Sequence, residues 1–319
     1  MKRVPRSVFN LVGLVVALVV IFVVFSVLQP KSFPTVSNLE TLARQSAIVA
    51  LVSLGMTYVI VNAGIDLSVG STAAFSGVAI AWILQRHYSP ALALLGGVLA
   101  GAIAGLLNGL LITRLKVGPF IVTLGTMLII RGVATGVAHE QTINPPDSWL
   151  NNLLAVLGPD EKWKLLPIGV WLTIVLAVLA ALSLRYTRFG RHVIAIGSNE
   201  HAARLCGVPV ERVTMLVYVI SGAFAGLAGL MLFSRLTVGD PTVANGLELD
   251  AIAAVVIGGA SLTGGEGSIL GTILGALIMA TLRAGASQVG LDNWVQQIVT
   301  GVIIVLAVAL DKLRKKQIG

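Results

Sequence analysis

Apolar residues in this chain run in long blocks, and short polar stretches separate the blocks. The blocks predict ten spans, at 9–28, 45–63, 69–84, 91–113, 117–138, 166–184, 213–235, 249–262, 268–286 and 294–310. Most approach the ~20 residues a helix needs to cross about 30 Å of hydrocarbon. Those at 69–84 and 249–262 are short, so they are expected to be tilted, re-entrant or sheltered by neighbours, where irregular backbone is tolerated. The pattern therefore predicts an all-α integral membrane protein of about ten transmembrane helices, some short or broken, in a single domain over 1–319.

Composition agrees with this reading. The chain has 319 residues, 56% apolar and only 11% charged, against about 25% charged in soluble domains. Its net charge of +8 would suit an anionic partner, but the cations sit mostly at the ends of apolar blocks. Topology accounts for them, and nucleic acid is not an expected partner. Lys2, Arg3 and Arg6 precede the first block as in a signal peptide. That block is longer than a cleavable apolar core and no small-x-small site follows it, so it reads as a retained span.

Lysine and arginine also set the predicted orientation. With the N-terminus inside, fourteen of them fall on the cytoplasmic side and six on the other, leaving Arg131 and Arg283 within spans. An even number of spans places the C-terminus in the cytoplasm too. The largest cytoplasmic segment is then 185–212. The largest external one is 139–165, where Pro145, Pro146, Trp149 and Trp163 suggest a surface loop with interfacial aromatics.

Within 185–212 lies the polar stretch Gly197-Ser-Asn-Glu-His-Ala-Ala-Arg-Leu-Cys-Gly207. Ser198 or Asn199 can cap a short helix and Glu200 suits its positive end. Gly207 can stop it in a left-handed conformation, and Pro209 prevents its continuation. Such a helix, held outside the bilayer, is either a presented surface or a helical connection. Cys206, the lone cysteine, reads as a small buried hydrophobe at a helix end.

Gly97, Gly101, Gly105 and Gly109 recur every four residues and make a flat helical groove for close backbone approach, most simply within one bundle. Gly-interrupted breaks at 62–70 and 258–267 fall in the two halves, as in duplicated transporters, although the halves show no direct repeat. Ionisable and amide groups in or beside spans are costly in a bilayer and mark functional candidates. Asn62, Asp66, Asn108 and Arg131 are candidates for a translocation pathway, with a helix-cap alternative for Asp66 and a structural alternative for Arg131. Glu248 and Asp250 are placed at the outer mouth of the eighth span. There Glu248 is a docking candidate and Asp250 a helix cap.

No G-x-x-x-x-G-K-[ST] phosphate loop occurs, so the chain is expected to be no ATPase by itself. No H-E-x-x-H, paired-cysteine or G-x-S-x-G pattern occurs either, and neither metal nor cofactor is expected. A self-sufficient secondary transporter and a membrane scaffold remain alternatives on these grounds.

Gly64-Ile-Asp-Leu-Ser-Val-Gly70, Thr187-Arg-Phe-Gly-Arg191, the 197–207 stretch and Glu248-Leu-Asp-Ala-Ile-Ala-Ala-Val-Val-Ile-Gly-Gly-Ala-Ser-Leu262 resemble signatures of ribose-type carbohydrate ABC transporter permeases, over about 33–311. The resemblance implies the permease subunit of a bacterial inner-membrane importer for a monosaccharide or related small polar solute. It further implies a homodimeric or heterodimeric permease pair, a separate ATP-binding cassette ATPase and an external sugar-binding protein. Ser198, Asn199, Glu200, Ala202, Ala203, Arg204 and Gly207 would then form the coupling helix that meets the ATPase.

Overall fold

The computed structural model describes residues 6–316, which form twelve α-helices. They are α1 (Arg6–Leu28), α2 (Val36–Val61), α3 (Val69–Gln85), α4 (Pro90–Leu115), α5 (Pro119–Val137), α6 (Ile168–Tyr186), α7 (Arg188–Ser198), α8 (Glu200–Leu205), α9 (Val210–Leu236), α10 (Leu247–Ile257), α11 (Ile269–Gln288) and α12 (Asn293–Lys316). The N-terminal cations Lys2 and Arg3 lie outside the described residues. Local chemistry sets several starts. The Thr35, Ser89 and Ser268 hydroxyls accept from the amides of Asn38, Leu92 and Gly271, and Pro90 and Pro119 sit in first turns where no amide donor is needed.

Among the described residues seven helices are long and apolar enough to cross a membrane: α1, α2, α4, α5, α6, α9 and α11. The chain is thus a multi-pass membrane protein. α3 is a shorter apolar helix of 17 residues. α10 has 11 residues, about 17 Å at the usual rise, and cannot span a bilayer alone. The predicted eighth span therefore breaks down: its tail leaves the helix at Gly258 and enters a glycine-rich turn.

α2 forms the centre of the bundle, most of its length being buried. α4 shows how inner and outer faces are sorted. Leu95, Leu99, Ile103 and Leu107 are exposed on one side, as suits lipid, while Gly97, Gly101, Gly105 and Gly109 turn inward. Gly97 faces Ile80 on α3, and the other three glycines pack on α9 of the same chain: a Cβ on Gly101 would stand 2.9 Å from the Gly226 Cα, and one on Gly109 would stand 2.9 Å from the Met215 Cα. No side chain fits between these backbones, and the two helices run antiparallel.

The two halves of the bundle are interleaved. α2 and α9 are antiparallel, because Asn62 meets Thr214 and Gly55 meets Ser221. After α2 the chain turns through 62–68, and α3 runs parallel to α9, from Asp66 beside Ser221 to Ala73 and Ser76 beside Gly229. After α9 the chain turns through 237–246, and α10 runs beside α2. α11 is antiparallel to both: it meets α10 at Asp250–Arg283 and Gly258–Gly271, and meets α2 at Thr57–Thr272 and Asn38–Gln288. Each short helix thus leaves its own long helix and lies along the long helix of the other half. The turn matching 62–68 is 237–246, not the glycine-rich stretch at 258–267. That stretch instead links α10 to α11, as 86–89 links α3 to α4.

The segment 139–165 is more than a surface loop. Ile143 and Gly239 exchange backbone hydrogen bonds of 2.8 and 2.9 Å, Leu150 and Leu154 are fully buried, and the Arg44 Nε donates to the Leu154 carbonyl at 2.6 Å. Trp149 and Trp163 do face outward.

Candidate functional site

The turn before α3 carries a buried polar network. Asp66 is 1% exposed. Its Oδ1 accepts from the Ser68 amide at 3.0 Å and the Ser68 hydroxyl at 2.6 Å, and its Oδ2 accepts from the Ser221 hydroxyl on α9 at 3.0 Å. Asn108 Nδ2 on α4 donates to the Ser68 hydroxyl at 2.8 Å, while Asn108 Oδ1 has no partner. Ser221 lies three turns into α9, about 16 Å from its start, so this carboxylate sits deep in the bundle. Asp66 does not cap α3. It closes a turn onto Ser68, which precedes the helix without a side-chain cap bond.

Of the four pathway candidates, the structure joins two. Asp66 and Asn108 meet through Ser68, whereas Asn62 Nδ2 donates to Thr214 at 3.1 Å nearer the start of α9. Arg131 stands apart, its Nη1 donating to the carbonyls of Pro241 at 2.5 Å and Val243 at 2.7 Å. It pins the turn that feeds α10 and makes no ion pair among the described residues.

At the start of α10 the two acids take roles different from those expected. Glu248 is half-buried, its Oε1 accepts from the Gly246 amide at 3.2 Å, and its Oε2 lies against Gly70. It is not an exposed docking charge. It satisfies an amide at the helix start, the task assigned above to Asp250. Asp250 lies two residues further, fully buried, with Arg283 Nη2 2.8 Å from its Oδ2. It is no cap because its side chain projects toward α11.

At the end of the bundle where α2 finishes, α7 and α8 form an angled pair. Thr187 caps α7 through the Gly190 amide. Asn199, not Ser198, caps α8, accepting from the Ala202 amide at 2.9 Å, while the Ser198 hydroxyl donates to Ile194 within α7. Gly207 takes φ +81 and ends the segment. The pair is seated by Gly197, where any Cβ would collide with the Val61 carbonyl, and by the Gly265 amide, which donates to that same carbonyl at 2.9 Å. Arg204 pairs with Glu200 at 3.1 Å and with Glu211 on α9. The hydrogen bonds to Glu211 and then Glu200 raise its pKa above the ordinary arginine value.

Side chains on α8 divide sharply. Ala203 is buried against the bundle, whereas Ala202 is exposed and Leu205 is 83% exposed. Cys206 is exposed as well, contrary to the buried expectation. Sequence reasoning missed Leu205, although an apolar residue in a polar, capped helix was the available signal. It also missed Ser221, which carries no local signal.

Residues 38–308 match the family described as "Branched-chain amino acid transport system / permease component". The chain belongs to this family. The permease is 38% identical to the ribose import permease protein RbsC of Escherichia coli (strain K12) over 302 residues, 95% of this chain and 93% of that protein. It is 41% identical to RbsC of Bacillus subtilis (strain 168), over 96% of this chain and 94% of that one. It is 36% identical to the L-arabinose ABC transporter permease protein AraH of Azospirillum brasilense, over 97% and 89%. No solved structure matches the permease significantly.

Proposed function

We propose that the permease is the membrane subunit of an ATP-driven importer for a monosaccharide or related small polar solute. The observation that carries this is the identity of 38–41% with ribose import permeases across nearly the whole of both chains. The missing phosphate loop fits a subunit whose ATP is hydrolysed by a separate cassette ATPase. α8 is the surface for that ATPase: capped at Asn199, buttressed by Arg204 between Glu200 and Glu211, and offering Ala202 and Leu205 outward. A sugar-binding protein meets the opposite end, and a second permease completes the pair. The excess of lysine and arginine favours a cytoplasmic α8 end and cytoplasmic termini in a bacterial inner membrane.

In this reading the deep turns before α3 and α10 are the parts that rearrange. ATP-driven movement of α8 reaches them through Gly197, which packs on the end of α2, one residue before the 62–68 turn. Two access states then differ in the contacts made at those turns.

The test is reconstitution of the permease with its cassette ATPase and binding protein in proteoliposomes, followed by uptake of labelled D-ribose, L-arabinose, D-xylose and D-galactose. ATP-dependent uptake of one of them that needs all three components supports the reading. Uptake by the permease alone, driven by an ion gradient, would make it a secondary transporter.

A further inference from the structure

We propose that the permease carries its own monosaccharide-binding site in the cavity beside the start of α10, an inference that rests on the importer reading above. The cavity holds about 200 Å³ and is lined by residues of α2, α9, α10, α11 and the 237–246 turn. That volume is below the ~300–1,000 Å³ of drug-sized sites and suits one small molecule. Its polar lining consists of Gln45, Arg235, Asn245, Asp250 and Arg283.

Asp250 is the observation that asks for a ligand. It is fully buried, and although Arg283 Nη2 is 2.8 Å from Oδ2, neither carboxylate oxygen has an aligned hydrogen-bond donor. Buried acceptors in this state are costly unless something supplies donors. Arg283 keeps 44% of its side chain exposed and has room to shift. A hydroxyl both donates and accepts. Inserted between the two groups, it donates to the Asp250 carboxylate and accepts from the Arg283 guanidinium, completing both.

A neighbouring hydroxyl then meets the amides of Asn245 and Gln45, each able to donate and accept, and Arg235 supplies further donors. A neutral polyol satisfies this lining without adding charge beside Asp250. A branched-chain amino acid would press an apolar side chain against the same groups and bring its own carboxylate toward Asp250.

The test is saturation-transfer NMR on the purified permease, using the sugar that the reconstituted importer takes up and L-leucine as comparison. The sugar should give a signal and L-leucine none. Asn245→Ala and Gln45→Ala should each reduce the sugar signal at least fivefold, and Thr242→Ala, exposed on the same turn but outside the cavity, should retain it. These wall variants decide the matter even where Asp250→Asn fails to fold. Uptake by the importer with no sugar signal from the permease, or with full signal from both wall variants, overturns this site and leaves the importer standing. Uptake of none of the four sugars overturns both.

Discussion

Gly70 and Glu248 meet where the two short helices begin, each the second residue of its helix. A Cβ on Gly70 would collide with the Glu248 Oε2 and stand 2.7 Å from the Ala244 carbonyl. The starts of α3 and α10 are therefore in direct contact, and one change at either helix is felt at both. This contact puts two backbone breaks from opposite halves of the chain at one place, the arrangement from which many transporters build a pathway.

Gly70→Val should lower the thermal stability of the detergent-purified permease, by on the order of 1–3 kcal/mol for overpacking. Glu248→Ala combined with Gly70→Ala should recover part of what Gly70→Ala loses, since one of the two obstructing groups is gone. Strict additivity in that double-mutant cycle would show that the helix starts do not touch.

The α4–α9 seam predicts a contrast between two glycines in helices. Gly101→Leu should sharply reduce folded yield, because the Gly222 and Gly226 backbones occupy the space its side chain needs. Gly125→Leu on α5, where an added Cβ meets nothing within 4 Å, should leave yield unchanged. Equal yields by size-exclusion chromatography would contradict the close packing.

Asp66 holds three neutral donors in the interior. Asp66→Ala orphans the Ser68 amide and the Ser221 hydroxyl, at about 1–3 kcal/mol for each buried group left unpaired. Ser221→Ala removes one partner and leaves the carboxylate two others, so about 1 kcal/mol is expected. The order of melting temperatures should be wild type, Ser221→Ala, Asp66→Ala. A reversed order would place the weight of the network elsewhere.

On α8, exposure separates docking from folding. Leu205→Asp should abolish ATP-driven uptake while the melting temperature stays put, because the side chain touches little of its own chain. Ala203→Trp should instead lower that temperature, since Ala203 is buried against the bundle. Asn199→Ala should weaken the segment by about 1 kcal/mol, the usual loss of a cap. Unimpaired uptake by Leu205→Asp would remove α8 as the docking surface.

Much of this was legible in the sequence, for a physical reason. Apolar blocks, cap residues and glycine spacing act over a few residues of backbone. The chain therefore announces its long helices, the α8 cap and stop, and the small-residue face of α4. The limits of that reading are equally physical. Nothing near Asp66 indicates Ser221, 155 residues away, and nothing near Asp250 indicates Arg283. A carboxylate near a helix start reads as a cap whether or not its side chain turns back onto the backbone, which is why the pattern offers Asp250 as the cap although Glu248 makes that bond. The sequence pattern likewise points to the richest glycine stretch, 258–267, for the second break, since glycine is what a sequence displays. Only the interleaving of the halves shows that 237–246 corresponds to 62–68, because that correspondence is decided by which long helix each short helix packs along. Packing between segments so far apart leaves no periodic trace in either one.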